Sequence, residues 1–294
     1  VNRVRAQVRH GAQPPHEFLE LGHLLHEQRL FKSRDEIRLM EKAAAISVRA
    51  HQAAMRAARP GIHEYELQAE VERVFRAADA CPAYASIVGA GGNGCVLHYV
   101  ANTGKARDGD LVLIDAGAEY RNYAADITRT FPVNGRYTRE QRALHDLVGA
   151  AQAAALACAR PGVAFAALHE TVVEVLSEGL LRLGLLKGSL EKCIAGEHYR
   201  QFYRHKSGHW LGLDVHDVGD YRIDGQSRLL EPGMVLTIEP GLYVGADDTT
   251  VAAKWRGIGI RTEDDVLITA DGHRVLTEGL ARSADEIEAF MAGR

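Results

Sequence analysis

No stretch of this sequence approaches the ~20 consecutive apolar residues of a membrane-spanning helix, so no membrane role is expected. Cysteine is sparse: Cys81, Cys95, Cys158 and Cys193 stand far apart and form no C-x-x-C pair. Such spacing predicts reduced, packed thiols in a cytoplasmic protein rather than a disulfide framework. Charge of one sign is lacking too. The formal net charge is −4, and the basic residues are scattered apart from a mild cluster of Arg3, Arg5 and Arg9. Neither nucleic acid nor a membrane surface is an expected partner. No charged-then-apolar leader opens the chain, which starts at Val1 rather than a methionine, and a trimmed or partial product is expected. The glycine cluster Gly89-Ala-Gly-Gly-Asn-Gly94 lacks the G-K-[ST] of a phosphate cradle and reads as a backbone turn beside His98.

What is present is enough for a sizeable core: 294 residues, 46% of them hydrophobic, make one large domain or two modest ones. Residues 1–31 mix Arg, His, Gln, Pro14 and Pro15 without sustained periodicity. They read as a linker, the remnant of a missing N-terminal domain, and residues 32–294 as the folded body. Order begins at Ser33, which with Glu36 makes a capping box. Leu39, Ala43, Ile46, Ala50, Ala53 and Ala57 then recur at steps of four and three, one face of a long helix stopped by Pro60-Gly61. A second helix is expected over 64–79. The motif Ala58-Arg59-Pro60-Gly61 returns as Ala159-Arg160-Pro161-Gly162, again after a helix (opened by Thr138 and Gln141) and before another.

Strands repeat as well. Gly109-Asp-Leu-Val-Leu-Ile-Asp115-Ala-Gly117 matches Gly233-Met-Val-Leu-Thr-Ile-Glu239-Pro-Gly241 position for position. The echo in the same order predicts two αβ halves related by a pseudo-two-fold axis, each delivering an acidic strand to a shared centre. It is not a short-period solenoid.

Asp115 lies in the first of these strands, and Asp126 follows in a second β-rich run. A hairpin turning at Tyr120-Arg121 would set the two carboxylates directly opposite each other, with Cβ atoms roughly 5 Å apart. Two bare acids that close repel, so a cation between them, or a proton on one, is required. Glu239 and Glu263 lie among apolar β-formers, where an unpaired carboxylate is expensive to bury. His209 is the further candidate ligand. Four carboxylates are balanced by two divalent ions, with a bridging hydroxide as nucleophile. Oxygen ligands with one imidazole favour manganese, cobalt, iron or magnesium over a thiolate-rich zinc site.

Asp115, Asp126, His209, Glu239 and Glu263 stand in long ordered motifs: Ile-Asp-Ala-Gly, Ala-Asp-Ile-Thr-Arg-Thr-Phe-Pro, His-Trp-Leu-Gly-Leu-Asp-Val-His-Asp, Glu-Pro-Gly-Met-Val-Leu-Thr-Ile-Glu-Pro-Gly-Leu-Tyr and Gly-Ile-Gly-Ile-Arg-Thr-Glu-Asp-Asp. Over roughly residues 28 to 290 the chain resembles the pita-bread metallopeptidases, and among them the Xaa-Pro aminopeptidases (aminopeptidase P). The resemblance implies an α+β pita-bread fold: two pseudo-symmetric αβ halves, a curved antiparallel sheet and outer helices. It implies two divalent ions, manganese first, with cobalt, iron or zinc as alternatives, and removal of an N-terminal residue that precedes proline. In the family pattern Asp115 holds one metal, Asp126 and Glu263 bridge both, and His209 and Glu239 complete the other. Glu239 is also the proton acceptor, and His98, His205 and His216 match positions lining the substrate cleft.

Neutral imidazoles at those three positions would orient the scissile carbonyl, stabilise the oxyanion and pass a proton to the leaving nitrogen. Arg261 is expected to pair with a ligand or substrate carboxylate, and Tyr243 to line the proline pocket. His209 and His216 differ by seven, so one regular strand would face them oppositely. The chain must bend between them, with Gly212 the candidate. An Xaa-Pro bond is a tertiary amide without N–H, which a metal-polarised carbonyl tolerates.

Lys206 stands where the family often has glycine, and the separate N-terminal domain usual in the family is expected to be missing from this chain. Homo-oligomers are possible in such a family, and peptides with proline at the second position are the expected partners. Competing readings are a prolidase acting on dipeptides, a methionine aminopeptidase, a metal-free creatinase-like enzyme, and a non-catalytic module that binds peptides or proteins.

Overall fold

A computed structural model describes residues 2–15 and 18–293; Val1, His16, Glu17 and Arg294, within the spans assigned above, lie outside the described residues. The helices are α1 (Asn2–Arg5), α2 (Gly22–Leu30), α3 (Arg34–Ala57), α4 (Glu64–Ala77), α5 (Arg139–Cys158), α6 (Phe165–Arg182), α7 (Leu190–Ala195) and α8 (Ala284–Ala292). Between them run strands β1 (Cys81–Pro82), β2 (Ile87–Ala90), β3 (Leu111–Asp115), β4 (Ala118–Tyr120), β5 (Tyr123–Ala124) and β6 (Thr128–Pro132). The second half supplies β7 (Arg222–Ile223), β8 (Gln226–Ser227), β9 (Val235–Ile238), β10 (Gly241–Val244), β11 (Ile258–Arg261), β12 (Asp264–Thr269) and β13 (Gly272–Val275).

The capping boxes expected at Ser33–Glu36 and Thr138–Gln141 start α3 and α5. Of the expected stripe, Ala43, Ile46 and Ala50 are buried but Leu39, Ala53 and Ala57 are only half-buried; the buried face of α3 also takes in Met40, Ala44, Ser47, His51, Ala54 and Met55. The expected linker is not featureless. Helix α2 starts without a side-chain cap, yet its last residue, Leu30, is fully buried, and Phe31 bridges to Met234. Arg29 and Lys32 both reach Asp217, at 2.5 Å and 3.0 Å. Tertiary ion pairs, not local periodicity, hold this segment.

The duplication extends to individual hydrogen bonds. Gly61 and Gly162, the repeated glycines, have φ of 90° and 80°, the left-handed region a side chain resists. The Gly61 amide donates to the Ala106 carbonyl (2.7 Å), and the Gly162 amide donates to that of Leu230 (2.9 Å). In return the Ala106 amide donates to Ile62 (2.9 Å), and the Leu230 amide to Val163 (2.8 Å). Bridges His63–Lys105 and Ala164–Leu229 complete the match.

All strand pairings among the described residues are antiparallel: β2-β3-β6 in the first half, β13-β12-β9 and β10-β11 in the second, with β1-β4-β5 and β7-β8 at the margins. Each half has its own apolar core between helices and sheet. Ile46, Met55, Val71 and Phe75 pack with Val112 and Ile114 in one, and Leu144, Val148, Leu168 and Leu176 with Leu236, Ile238 and Leu242 in the other. The two halves meet where Thr128 bridges to Glu263.

The hairpin register differs from the expectation. Tyr120 pairs with Tyr123 around Arg121-Asn122, and Asp115 pairs with Thr128 rather than Asp126. Arg121 and Asn122 have φ of 51° and 70°, the two positive values of a type I′ turn, whose twist matches the strands. The shift leaves Asp126 diagonal to Asp115. Because sidedness repeats every two residues, both acids stay on one face.

His145 on α5 is 1% exposed, its ring 4.9 Å from Tyr137, and neither ring nitrogen has a hydrogen-bond partner. Burial, reinforced by Arg129 and Arg142, lowers its pKa to about 4. The unfolded chain then takes up this proton first as pH falls through 6.5, so stability is lost between about 6.5 and 4. His145→Leu should flatten denaturant-measured stability across that window by up to ~3 kcal/mol. An unchanged slope would show that the ring is hydrated.

Candidate metal centre

The strand ends bring the acids together. Asp115 closes β3, Asp126 precedes β6, Glu239 follows β9, and Glu263 sits between β11 and β12. The segment 207–211 runs alongside β9: the Glu239 amide donates to the Ser207 carbonyl (2.9 Å) and the Thr237 amide to that of His209 (2.9 Å). This ladder carries His209 to the acids of the other half. Beyond it the chain turns back, with the Asp217 amide donating to the Trp210 carbonyl (2.9 Å). The expected bend at Gly212 has a steric reason: a Cβ there would lie 2.1 Å from Asp217 Oδ2. The fold thereby sets the His216 ring against His209, with centroids 4.4 Å apart.

Ligand atoms of Asp126, His209 and Glu263 lie within 4.8 Å of one another. His209 Nε2 is 3.3 Å from Asp126 and 3.7 Å from Glu239. Asp115 stands beside this group, linked to Asp126 through Tyr84, whose hydroxyl is 2.6 Å from Asp115 Oδ1 and 2.5 Å from Asp126 Oδ1. Glu263 accepts from Thr128 Oγ1 (2.6 Å), and its amide donates to the Thr128 carbonyl (3.0 Å). The Asp126 amide donates to the Asp265 carboxylate at 3.2 Å from each oxygen.

The donor set fits a divalent cation. Burial raises Glu263 well above the usual carboxylate range, and Asp126, Glu239 and Asp115 push it further. Burial also raises Glu239 to about 7 and raises Asp115, against the pull of Arg261. Burial would lower His209, but Asp126 and Glu239 override it and raise the ring to about 9. Its Nδ1–H donates to the Trp210 carbonyl (2.9 Å), so Nε2 is the nitrogen aimed at the carboxylates. A ring so fixed presents a lone pair to a metal, or else must carry a proton. Hard oxygens with one imidazole suit a divalent first-row ion.

One cavity of about 880 Å³ is lined by all five ligand candidates together with His98, His205, His216 and Arg261. Arg261 pairs with Asp115 (2.5 Å) and donates through Nη1 to the Tyr243 hydroxyl (2.8 Å). Tyr243, expected on the pocket wall, lies behind it: the residue is 4% exposed and is absent from the lining. Its hydroxyl is 2.9 Å from His205 Nε2. Burial and Arg261 lower His205 to about 3, so the ring is neutral and its 3.5 Å approach to Glu239 is not an ion pair. With Nδ1–H donating to the Lys206 carbonyl (2.7 Å), Nε2 accepts from Tyr243. Tyr84, Thr128 and the aromatic wall of Phe165 and Tyr221 were not singled out in the sequence. In the sequence, only its place in Asp126-Ile-Thr128 marks Thr128. Among the described residues, no helix is long and apolar enough to cross a membrane.

Buried repulsion makes a testable trade. Glu263→Gln should leave the metal-free protein as stable as, or more stable than, the parent in thermal melts at pH 8. Added Mn²⁺ should stabilise the parent by ~2.7 kcal/mol at a hundredfold excess over Kd, and the variant far less. A metal-free variant that melts well below the parent would mean that Glu263 is satisfied without an ion.

Comparisons with known proteins identify the family. A model of metallopeptidase family M24 matches residues 38–270. The Xaa-Pro aminopeptidase of Escherichia coli is 47% identical over 292 residues, covering 99% of this chain and 66% of that protein. The aminopeptidase PepP structure from Pseudomonas aeruginosa is 55% identical with a TM-score of 0.96, over 99% of this chain and 66% of that one. The structure of proline aminopeptidase P II from Yersinia pestis is 50% identical, also at a TM-score of 0.96, over 100% and 67%. The chain thus spans about two thirds of the length of the relatives it matches. With the pita-bread architecture, the duplicated acidic strands and the clustered ligands in place, the chain belongs to metallopeptidase family M24.

Proposed function

We propose that the chain is an Xaa-Pro aminopeptidase that hydrolyses the bond between an N-terminal residue and a following proline, using two divalent metal ions, manganese first among them. The carrying observation is the set Asp115, Asp126, His209, Glu239 and Glu263 on one cavity wall, drawn from both halves of the duplicated fold. The names of the relatives support the substrate class. Asp126 and Glu263 are proposed as the shared ligands, Asp115 as ligand to one ion, and His209 with Glu239 as ligands to the other. When bound, the ions supply a water of lowered pKa and an electrophile for the carbonyl oxygen.

The chain's own residues do the rest. Glu239, on the cavity wall beside His209, takes the proton from the attacking water and returns it to the leaving group. His98 and His216, which line the same cavity, would orient the scissile carbonyl and serve the leaving nitrogen. His205 is locked between the Lys206 carbonyl and Tyr243, so it shapes the wall and couples to Arg261 through one phenol. Arg261, anchored on Asp115, keeps that ligand oriented. A proline nitrogen has no N–H to offer, and nothing in this set needs one. The aromatic wall of Phe165 and Tyr221 gives the peptide an apolar surface.

Metal-loaded protein should release the first residue from an Xaa-Pro-Yaa tripeptide and leave an Xaa-Ala-Yaa control intact, as read by chromatography. Glu239→Gln should lower kcat about 10²–10⁴-fold while the peptide still binds. Cleavage confined to Xaa-Pro dipeptides would instead indicate a prolidase, and binding without cleavage a peptide-binding module.

A further inference from the structure

Glu64 is the first residue of α4, and it is 1% exposed. Four donors converge on its carboxylate. One oxygen accepts from the Ala90 amide (2.7 Å) and from Asn93 Nδ2 (2.8 Å); the other accepts from the Tyr99 hydroxyl (2.8 Å) and the Gly104 amide (2.5 Å). Ala90 and Asn93 open the segment 90–104, and Tyr99 and Gly104 close it. One buried anion therefore ties both arms of a loop whose projecting residue, His98, lines the cavity of the metal centre.

The base of the tip is also held by Cys95, Leu97 and Tyr99, which pack against Ile87, Leu113 and Tyr243, and by the Cys95 thiol, which donates to the Val244 carbonyl (3.3 Å). Asn93 and Tyr99, both partners of Glu64, bond each other as well (3.0 Å). Val96 and Val100, flanking His98, are 53% and 55% exposed. A second anchor lies at Asn102, which accepts from the Val88 amide (2.9 Å) and donates to the Ser86 carbonyl (2.8 Å), but it fixes only the far arm. The duplication supplies an independent parallel. The position matching Glu64 in the second half is Phe165, the first residue of α6. Its ring lies 4.7 Å from Trp210 and 4.9 Å from Tyr221, the two rings nearest the His209–His216 segment in sequence. The same structural position supports a histidine-bearing loop in each half, by a carboxylate in one and an aromatic ring in the other.

We infer that Glu64 is a positioning residue of the reaction, acting through His98: its carboxylate closes the loop 90–104 and so fixes where the His98 imidazole stands over the substrate. The inference rests on the function proposed above for the use it gives to His98. It does not rest on it for the clamp itself.

Glu64→Gln keeps the shape but offers one acceptor oxygen to four donors. It should lower kcat/KM on an Xaa-Pro-Yaa tripeptide about 10- to 100-fold, as expected for a displaced catalytic group. Tyr99→Phe, which removes one contact beside His98 and is the safer variant to fold, should cause a smaller fall of the same kind. In a His98→Ala background neither substitution should cost anything more, whereas a merely structural role would multiply the losses. Amide hydrogen exchange should quicken within 90–104 and stay unchanged elsewhere. Multiplying losses, or unchanged exchange in the loop of Glu64→Gln, would overturn the proposal. If the parent cleaves no Xaa-Pro-Yaa peptide, the failure belongs to the proposed function, and exchange alone then decides the clamp.

Discussion

Mutual repulsion among Asp115, Asp126, Glu239 and Glu263 is the constraint around which the rest of the molecule is arranged. Isolated buried carboxylates take up protons rather than stay charged, and burial raises three of these four. The fold holds them close nonetheless, because each stands at the end of a strand or beside one whose other residues are committed to an apolar core. Core packing thus works against site electrostatics. A site that stores this repulsion suits a divalent cation, whose charge would offset it. Arg261 pairs directly with Asp115 and also attracts Glu239 and Glu263, yet burial still raises all three.

Much of the architecture was legible because the chain says it twice. The repeated Ala-Arg-Pro-Gly and the repeated glycine-bracketed strands mark equivalent places, and the hydrogen bonds at Gly61 and Gly162 follow the same pattern. Capping boxes at Ser33 and Thr138 are local signals and were met. The hairpin turn was misread by one position. Asn122, which tolerates positive φ, was the available clue, while the register is decided by strand twist and by the pairing of Asp115 with Thr128. Helix α2 was unreadable for a different reason: its C-terminal part is held by Arg29 on Asp217 and by Arg228 on Glu27, residues far apart in sequence.

The site divides in the same way. Asp115, Asp126, His209, Glu239 and Glu263 were visible as charges where apolar strands should continue, and the structure gathers them on one cavity. Tyr84 carried no such mark. It lies in a short irregular stretch after β1, and only the fold brings its hydroxyl between two acids. Tyr243 and His205 were visible, but their roles were not, since a tyrosine behind the wall and one on it look alike in a sequence. Burial places Tyr243 behind the wall, where its hydroxyl stands between His205 and Arg261.

The seam between the halves explains why so many charges are buried away from the candidate metal ligands. Arg129 and Asp264 form a fully buried pair, and Arg129 also donates to the Thr128 and Glu263 carbonyls. Such pairs are weak contributors to stability, because desolvation offsets their attraction. Their geometric effect here is large. Glu263, Asp264 and Asp265 are consecutive acids in extended chain, and each has a different partner: Thr128, Arg129 and the Asp126 amide. A slip of one residue along this edge would carry Glu263 away from the cavity and put Asp264 or its neighbour in its place. Apolar side chains at the seam would pack in several registers, whereas three acids matched to three unlike donors accept one. The buried charges at the seam therefore select the alignment of the halves, and that alignment is what turns two acidic strands into a single centre.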